Sequence, residues 1–167
     1  MVVLGIDPGS RRVGYGLIKQ LSGRRVEFLA AGLLSIKSST EEGALLEIKS
    51  GLLKIIQKFS PEIMVVERLF FSRNQKTGIA VAQARGVIVL TAAERGLEIQ
   101  EVSPNEVKSG VGGYGLADKR AVLKMVRLIL GQPNLKLVDD ASDALALAIF
   151  GAGIMKLSQL GLDKRNR

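Results

Sequence analysis

Cysteine, histidine and tryptophan are all missing from the 167 residues. Without cysteine there is no disulfide and no thiolate nucleophile; with histidine gone too, zinc centres and Ser-His-Asp triads are excluded. Hydrolytic chemistry on this chain has to run on carboxylates, lysines, hydroxyls or an oxygen-ligated metal. Aromatic residues are sparse, five Phe and two Tyr. Long apolar runs are also lacking, since each is broken by glycine or charge, and the N-terminus has no cleavable signal pattern. The chain therefore reads as a soluble cytoplasmic protein. What it has in excess is positive charge: 24 Lys and Arg against 16 Asp and Glu give a net charge of +8. That balance favours a polyanionic partner, nucleic acid or a membrane surface, although basic ribosomal and architectural proteins share it. The length suits one domain with a sizeable core.

Three strands open the chain: Val2 to Ile6 as a continuously buried strand, Val13 to Gln20 as its hairpin partner, and Val26 to Ser35 after the Ser22-Gly23 turn. Ser39-Thr40-Glu41-Glu42 offers a capping box for a helix whose apolar positions Leu45, Ile48, Leu52, Ile55, Ile56 and Phe59 keep helical spacing up to Pro61. Ile63 to Val66 is a second buried strand. A helix from Thr77 to Arg95 is closed by Gly96, and Leu97 to Val102 supplies a fifth strand. Strand and helix now alternate, which implies parallel pairing. Gly110 to Gly115 reads as a glycine-rich loop before a helix from about Asp118 to Leu130, and a last helix starts near Asp140. Residues 1–157 are expected to form one domain, followed by a basic C-terminal tail over 158–167.

Acids stand where the buried runs stop. Asp7 ends the first strand and Glu67 the fourth, and in open α/β sheets sites form in the crevice beyond the strand ends. Asp140 and Asp143, three apart at a helix start, project from one face. The small residues Ala144, Ala146 and Ala148 behind them let that helix lie close to a sheet. Four carboxylates at one crevice would raise one another's pKa unless cations neutralised them. A hard divalent metal such as Mg²⁺ is the economical neutraliser, because it takes a few carboxylates and keeps positions for phosphate oxygens and water. The bland alternatives are strand-end acids that cap turns and first-turn acids that serve the helix dipole.

Three segments together, GIDPGSRRVGYG from Gly5, VVERLFFSRNQKTGIAVAQARGV from Val65 and DDASDALALAIF from Asp139, resemble the RuvC-type Holliday-junction resolvases. The likeness spans nearly the whole chain. It implies a ribonuclease H-like α/β fold, with a five-stranded mixed sheet, three antiparallel strands and then parallel ones, flanked by helices. It implies a homodimeric, structure-selective endonuclease that cuts four-way DNA junctions by paired symmetric nicks, leaving 3′-hydroxyl and 5′-phosphate ends. Asp7, Glu67, Asp140 and Asp143 fall where such enzymes carry their catalytic, metal-binding acids, for two Mg²⁺ ions per site with Mn²⁺ as a substitute. Some relatives place a histidine within or shortly after the last acidic pair, and this chain has none. The resemblance also puts Lys119, a further catalytic candidate, and Lys108 near bound DNA, and implies a branch-migration helicase complex, RuvA and RuvB, as partner.

Lys119 draws notice on its own account, because a cation in the first turn of a helix opposes the dipole and needs an anion nearby. Arg120, Lys124 and Arg127 share a face of that helix and could track a DNA backbone. The polar segment after Glu67 supplies Phe70, Phe71, Arg73, Asn74 and Lys76 as DNA-binding candidates. Adjacent rings on an extended chain face opposite ways, so one anchors the loop and the other is exposed to stack on an unpaired base; the resemblance places that wedge on Phe70. The helix from Thr77 to Arg95 is apolar on all sides, so a second copy of the chain or another helix of the same chain must cover it, and the dimer contact is the reading we favour. Three rival readings stand beside this one. An actin-like kinase or ATPase lobe shares the G-I-D-x-G opening but needs a second lobe. A noncatalytic junction binder would find four convergent acids a liability. A YqgF-type nuclease shares the fold, but Phe-Phe after Glu67 and the late Asp-x-x-Asp favour the RuvC type.

Overall fold

The computed structural model of the chain describes residues 1–22, 25–68, 75–112 and 118–159, with the backbone alone at 75–77, 112 and 155–159. Five strands, β1 (Val2–Asp7), β2 (Gly14–Gln20), β3 (Val26–Leu33), β4 (Ile63–Glu67) and β5 (Glu98–Val102), form one sheet in the order β3-β2-β1-β4-β5. The first three pair antiparallel, while β1 with β4 and β4 with β5 are parallel. The helices are α1 (Glu41–Phe59), α2 (Gln75–Glu94), α3 (Pro104–Gly112), α4 (Lys119–Ile129) and α5 (Asp139–Gln159). This is the mixed sheet with flanking helices that the sequence led us to expect.

Alternation along the strands divides the core into two layers. Leu4, Ile6, Leu17, Met64 and Val66 pack with Ile48, Leu52 and Ile88 under α1 and α2. Val3, Ile18, Ile63, Val65 and Val102 pack on the other face with Leu145 and Ala148 of α5, Val107 of α3 and Val126 of α4. By the same alternation Gly5 and Asp7 belong to the face of Val3, and Glu67 to the face of Ile63 and Val65. Both strand-end acids thus stand on the α5 side.

Local signals set the element ends. Thr40 is the N-cap of α1, its hydroxyl accepting from the Gly43 N–H at 3.2 Å, and Ser60 closes that helix in a left-handed conformation at φ 46° just before Pro61. The expected loop from Gly110 is helical through Gly112, as the end of α3. Its signal was present: Pro104 takes the first helical position, Ser103 Oγ accepts from the Glu106 N–H at 3.3 Å, and Glu106 accepts from the Ser103 N–H at 2.7 Å, a capping box. Three glycines within Gly110–Gly113 obscured it. Among the described residues no helix is long and apolar enough to cross a membrane.

Candidate active site

The pairing register delivers the first two acids to one place. Parallel β1 and β4 run in step to Ile6↔Val66, so Asp7 and Glu67, one residue further, end neighbouring strands at the same sheet edge. Asp7 also lies opposite Gly14, the first residue of β2.

Helix α5 brings the other two by lying directly on strand backbones. A Cβ on Gly16 would stand 2.6 Å from the Leu145 nitrogen, one on Gly5 would stand 2.7 Å from the Ala148 nitrogen, and one on Gly14 would stand 3.0 Å from the Asp140 Cβ. Ala144 and Ala148, both fully buried, complete a contact that only small residues on both sides permit. The alanines were legible as a close-packing face; the glycines of β1 and β2 that receive them were not singled out. With the helix so seated, Asp140 and Asp143 in its first two turns overhang the end of β1.

The electrostatics record this convergence. Burial first, then the charges of Asp143, Glu67 and Asp140, push the Asp7 carboxyl from 3.8 up to about 7, against the opposing pull of Lys119. Glu67 is raised by burial and by Asp143, while Lys108 and Lys119 lower it. Lys119, at the first position of α4, places its Nζ 3.2 Å from Asp143 Oδ2 and is held firmly protonated by that carboxylate. Here is the anion that a first-turn lysine requires. Asp140 has its own cation, the Arg12 Nε at 2.8 Å from Oδ2.

Asp143, Glu67 and Asp140 therefore all act on Asp7, and of the two lysines singled out, Lys119 acts on Asp143, Asp7 and Glu67 and Lys108 on Glu67. The donors are oxygen throughout, the set that suits a hard divalent cation. Among the described residues no three acidic side chains are drawn together closely enough to hold an ion as they stand; Asp140 and Asp143 are turned to Arg12 and Lys119. The Asp7 carboxyl, raised to about 7 by burial and then by three neighbouring acids, is one whose charged form a nearby cation would stabilise. Asp7, Glu67, Asp140 and Asp143 have the donor chemistry for such an ion, and Asp140 and Asp143 would have to turn from Arg12 and Lys119 to hold it.

Two functional candidates escaped the sequence reading. Arg12 is one of an adjacent arginine pair in a turn, with no local cue to tell it from Arg11. Arg85 on α2 donates from Nε to the Glu67 carbonyl oxygen at 3.2 Å and bridges Glu101 of β5 at 2.6 Å, so it fixes the strand end that carries Glu67. Only its placement on an otherwise apolar helix could have hinted at this. Arg120 is exposed on α4. Arg127 leaves the suggested basic stripe, since its Nε donates to the Leu135 carbonyl at 3.0 Å and secures the segment after α4. Phe70, Phe71, Arg73 and Asn74 lie outside the described residues, as does the side chain of Lys76.

Comparison with known proteins points the same way. The family described as "Crossover junction endodeoxyribonuclease RuvC" matches residues 3–151. The crossover junction endodeoxyribonuclease RuvC of Natranaerobius thermophilus is 45% identical over 150 residues, covering 89% of this chain and 92% of that protein. The Thermus thermophilus RuvC solved in complex with a Holliday junction substrate superposes with a TM-score of 0.86 at 29% identity, over 97% of each chain. The yeast mitochondrial Holliday junction resolvase Ydc2 shares the fold, with a TM-score of 0.67 at 16% identity, covering 90% of this chain and 77% of that one.

Proposed function

The chain belongs to the RuvC family of crossover junction endodeoxyribonucleases, and from this we propose that it resolves four-way DNA junctions by paired symmetric nicks, with metal-assisted hydrolysis at the site of Asp7, Glu67, Asp140 and Asp143. The observation that carries the reading is the convergence of four carboxylates on one sheet edge of a strongly basic chain, with Asp7 pushed to about 7 by burial first and then by Asp143, Glu67 and Asp140. Such a concentration of negative charge serves no DNA-binding purpose unless cations intervene.

We infer Mg²⁺, two ions per site with Mn²⁺ as substitute, held by these four acids. Bound there, divalent ions would supply an activated water and stabilisation of the leaving 3′-oxygen. The side chains do the rest. Asp7 and Glu67, fixed by the sheet, form the rigid floor, and Arg85 holds the Glu67 end in place. Asp140 and Asp143 close over them from α5. Lys119 and Lys108 add positive potential where a phosphodiester must approach four carboxylates, and the exposed Arg120 lies next to Lys119 for backbone contact.

Two further parts of the reading concern assembly and substrate geometry. A homodimer would cover α2, where Ile79 and Leu90 are more than half exposed although Ala84, Ile88 and Ala92 are buried, and two linked sites are what symmetric nicking demands. Phe70 is the wedge that stacks at the junction centre, a contact worth roughly 1–3 kcal/mol per base, with Phe71 as its anchor and Arg73, Asn74 and Lys76 along the strands. Contact with the RuvA and RuvB helicase complex is inferred from family membership.

The test is to incubate the protein with synthetic four-way junctions and with linear duplexes, with and without Mg²⁺, and map the nicks. Symmetric nicks with 5′-phosphate ends are expected on junctions only, and only with the metal. Glu67→Gln, Asp140→Asn and their counterparts at Asp7 and Asp143 should abolish cutting while junction binding, which rests on phosphate contacts, persists. Near-normal cutting by any one of them removes that acid from the site.

A further inference from the structure

We propose that Arg12 is a tethered counter-cation of the metal site: it holds Asp140 when no ion is bound, competes with the ion for that carboxylate, and passes to a DNA phosphate once displaced. The inference rests on the metal-dependent reading above and adds to it a device that links metal occupancy to DNA affinity.

The two adjacent arginines of the β1–β2 turn have different assignments. Arg11 donates to the carbonyl oxygens of Ser38, through Nη1, and of Ser39, through Nη2 at 3.0 Å, which ties the turn to the segment leading into α1. Arg12 points the other way and places its Nε 2.8 Å from Asp140 Oδ2, 128 residues along the chain. The turn that presents it is tightly wound, for a Cβ on Gly9 would run into the Arg12 carbonyl oxygen. Its far end is set against α5, where Gly14 leaves no room for a side chain beside Asp140. The backbones of Arg12 and Asp140 are thus held in fixed relation, and the freedom lies in the arginine side chain.

That side chain is 63% exposed, while its carboxylate partner is 26% exposed. The guanidinium can therefore swing into solvent without opening the core, whereas Asp140 stays at the site. Asp140 in the first turn of α5 also has the helix dipole, which steadies its charge when Arg12 leaves. A guanidinium does not lose its proton at accessible pH, so it leaves Asp140 by displacement and not by titration. Once free, it carries a fork of donors that suits a phosphate as well as it suited the carboxylate. The ion and the DNA then favour each other's binding, as linkage requires of any shared element.

The experiment uses the full-length protein and two readouts. Mn²⁺ affinity without DNA, measured by electron paramagnetic resonance, should rise about 3- to 10-fold in Arg12→Ala and Arg12→Gln, since a competing cation is gone. Arg12→Lys should stay near the wild-type value. Junction binding is then followed against NaCl in Ca²⁺, used as a non-cleaving ion, and in EDTA. The slope of log K against log[salt] should be steeper by about 0.9, the value of one phosphate contact, in wild type than in Arg12→Ala in Ca²⁺, and equal in EDTA. Unchanged Mn²⁺ affinity in both neutral variants, when wild type binds Mn²⁺, overturns the competition. Equal slopes in Ca²⁺ overturn the transfer to DNA. A wild-type protein that neither binds Mn²⁺ nor cuts junctions would instead sink the metal-dependent reading itself.

Discussion

Gly5 of β1 lies under Ala144 of α5 so closely that a side chain on Gly5 would clash with the Ala144 carbonyl oxygen. Helix and strand meet backbone to backbone. Since Asp7 is two residues from Gly5, and Asp143 and Asp140 are one and four residues before Ala144, this contact sets the distance between the two halves of the site.

Enlarging a neighbouring glycine should therefore damage fold and site together. Gly16→Val, whose Cβ would stand 2.6 Å from the Leu145 nitrogen, is expected to cost about 3 kcal/mol or more, because backbone cannot move aside as a flexible side chain can. A melting point about 6–12 °C lower and loss of cleavage should follow. Gly153→Ala, on the same helix with nothing described within 4 Å, should instead stabilise by about 0.5–1 kcal/mol. Equal melting points for the two variants would refute the close contact.

The Asp7 carboxyl predicts a pH dependence of metal-free stability. Burial, followed by Asp143, Glu67 and Asp140, raises it from 3.8 to about 7, so between these values the folded protein binds more protons than the unfolded chain. Stability must then fall as pH rises through that window, by on the order of 2–4 kcal/mol once pH exceeds about 7. The chain has no histidine to superimpose its own titration between pH 5 and 8. Melts in EDTA should drop over that range for wild type and flatten for Asp7→Asn. At pH 8 Mg²⁺ should raise the wild-type melting point more than that of Asp7→Asn.

Arg85 is expected to act on the reaction through Glu67, whose strand end it holds. Arg85→Ala removes a hydrogen bond to the Glu67 carbonyl and an ion pair with Glu101, which should cost about 1–3 kcal/mol. Cleavage at saturating Mg²⁺ should slow about 10-fold or more, with junction affinity near wild type. Arg85→Lys, which keeps charge but not the two-pronged geometry, should recover little. If single-turnover cutting in Arg85→Ala matches wild type at a temperature where both are folded, Arg85 is structural only.

The surface of α2 offers the test of assembly. Leu90 is 57% exposed in the single chain, so Leu90→Asp should leave the subunit's own melting nearly intact if nothing covers it. If a second copy covers it, sedimentation at micromolar concentration should shift from dimer to monomer. Junction cutting should then change from paired nicks to isolated single nicks. A variant that sediments and nicks like wild type moves the interface elsewhere.

The sequence by itself determined the elements and where the acids stand along them. Strands that stop at Asp7 and Glu67, a helix that begins with Asp140 and Asp143, the absence of histidine and cysteine, and the charge of +8 are local or compositional facts, readable without knowing what lies opposite. They were enough to anticipate the mixed sheet. The tertiary structure alone decided what depends on partners distant in the chain. It selected Arg12 over Arg11 for the site, because their different partners, Asp140 on one side and Ser38 and Ser39 on the other, come from opposite ends of the sequence. It gave Arg85 to the Glu67 strand end and withdrew Arg127 from the basic stripe. It made Gly5, Gly14 and Gly16 the bed of α5, a role that no local pattern marks. Periodicity tells which residues share a face, but only packing tells which face meets which, and a long-range contact leaves no mark in a local window of sequence.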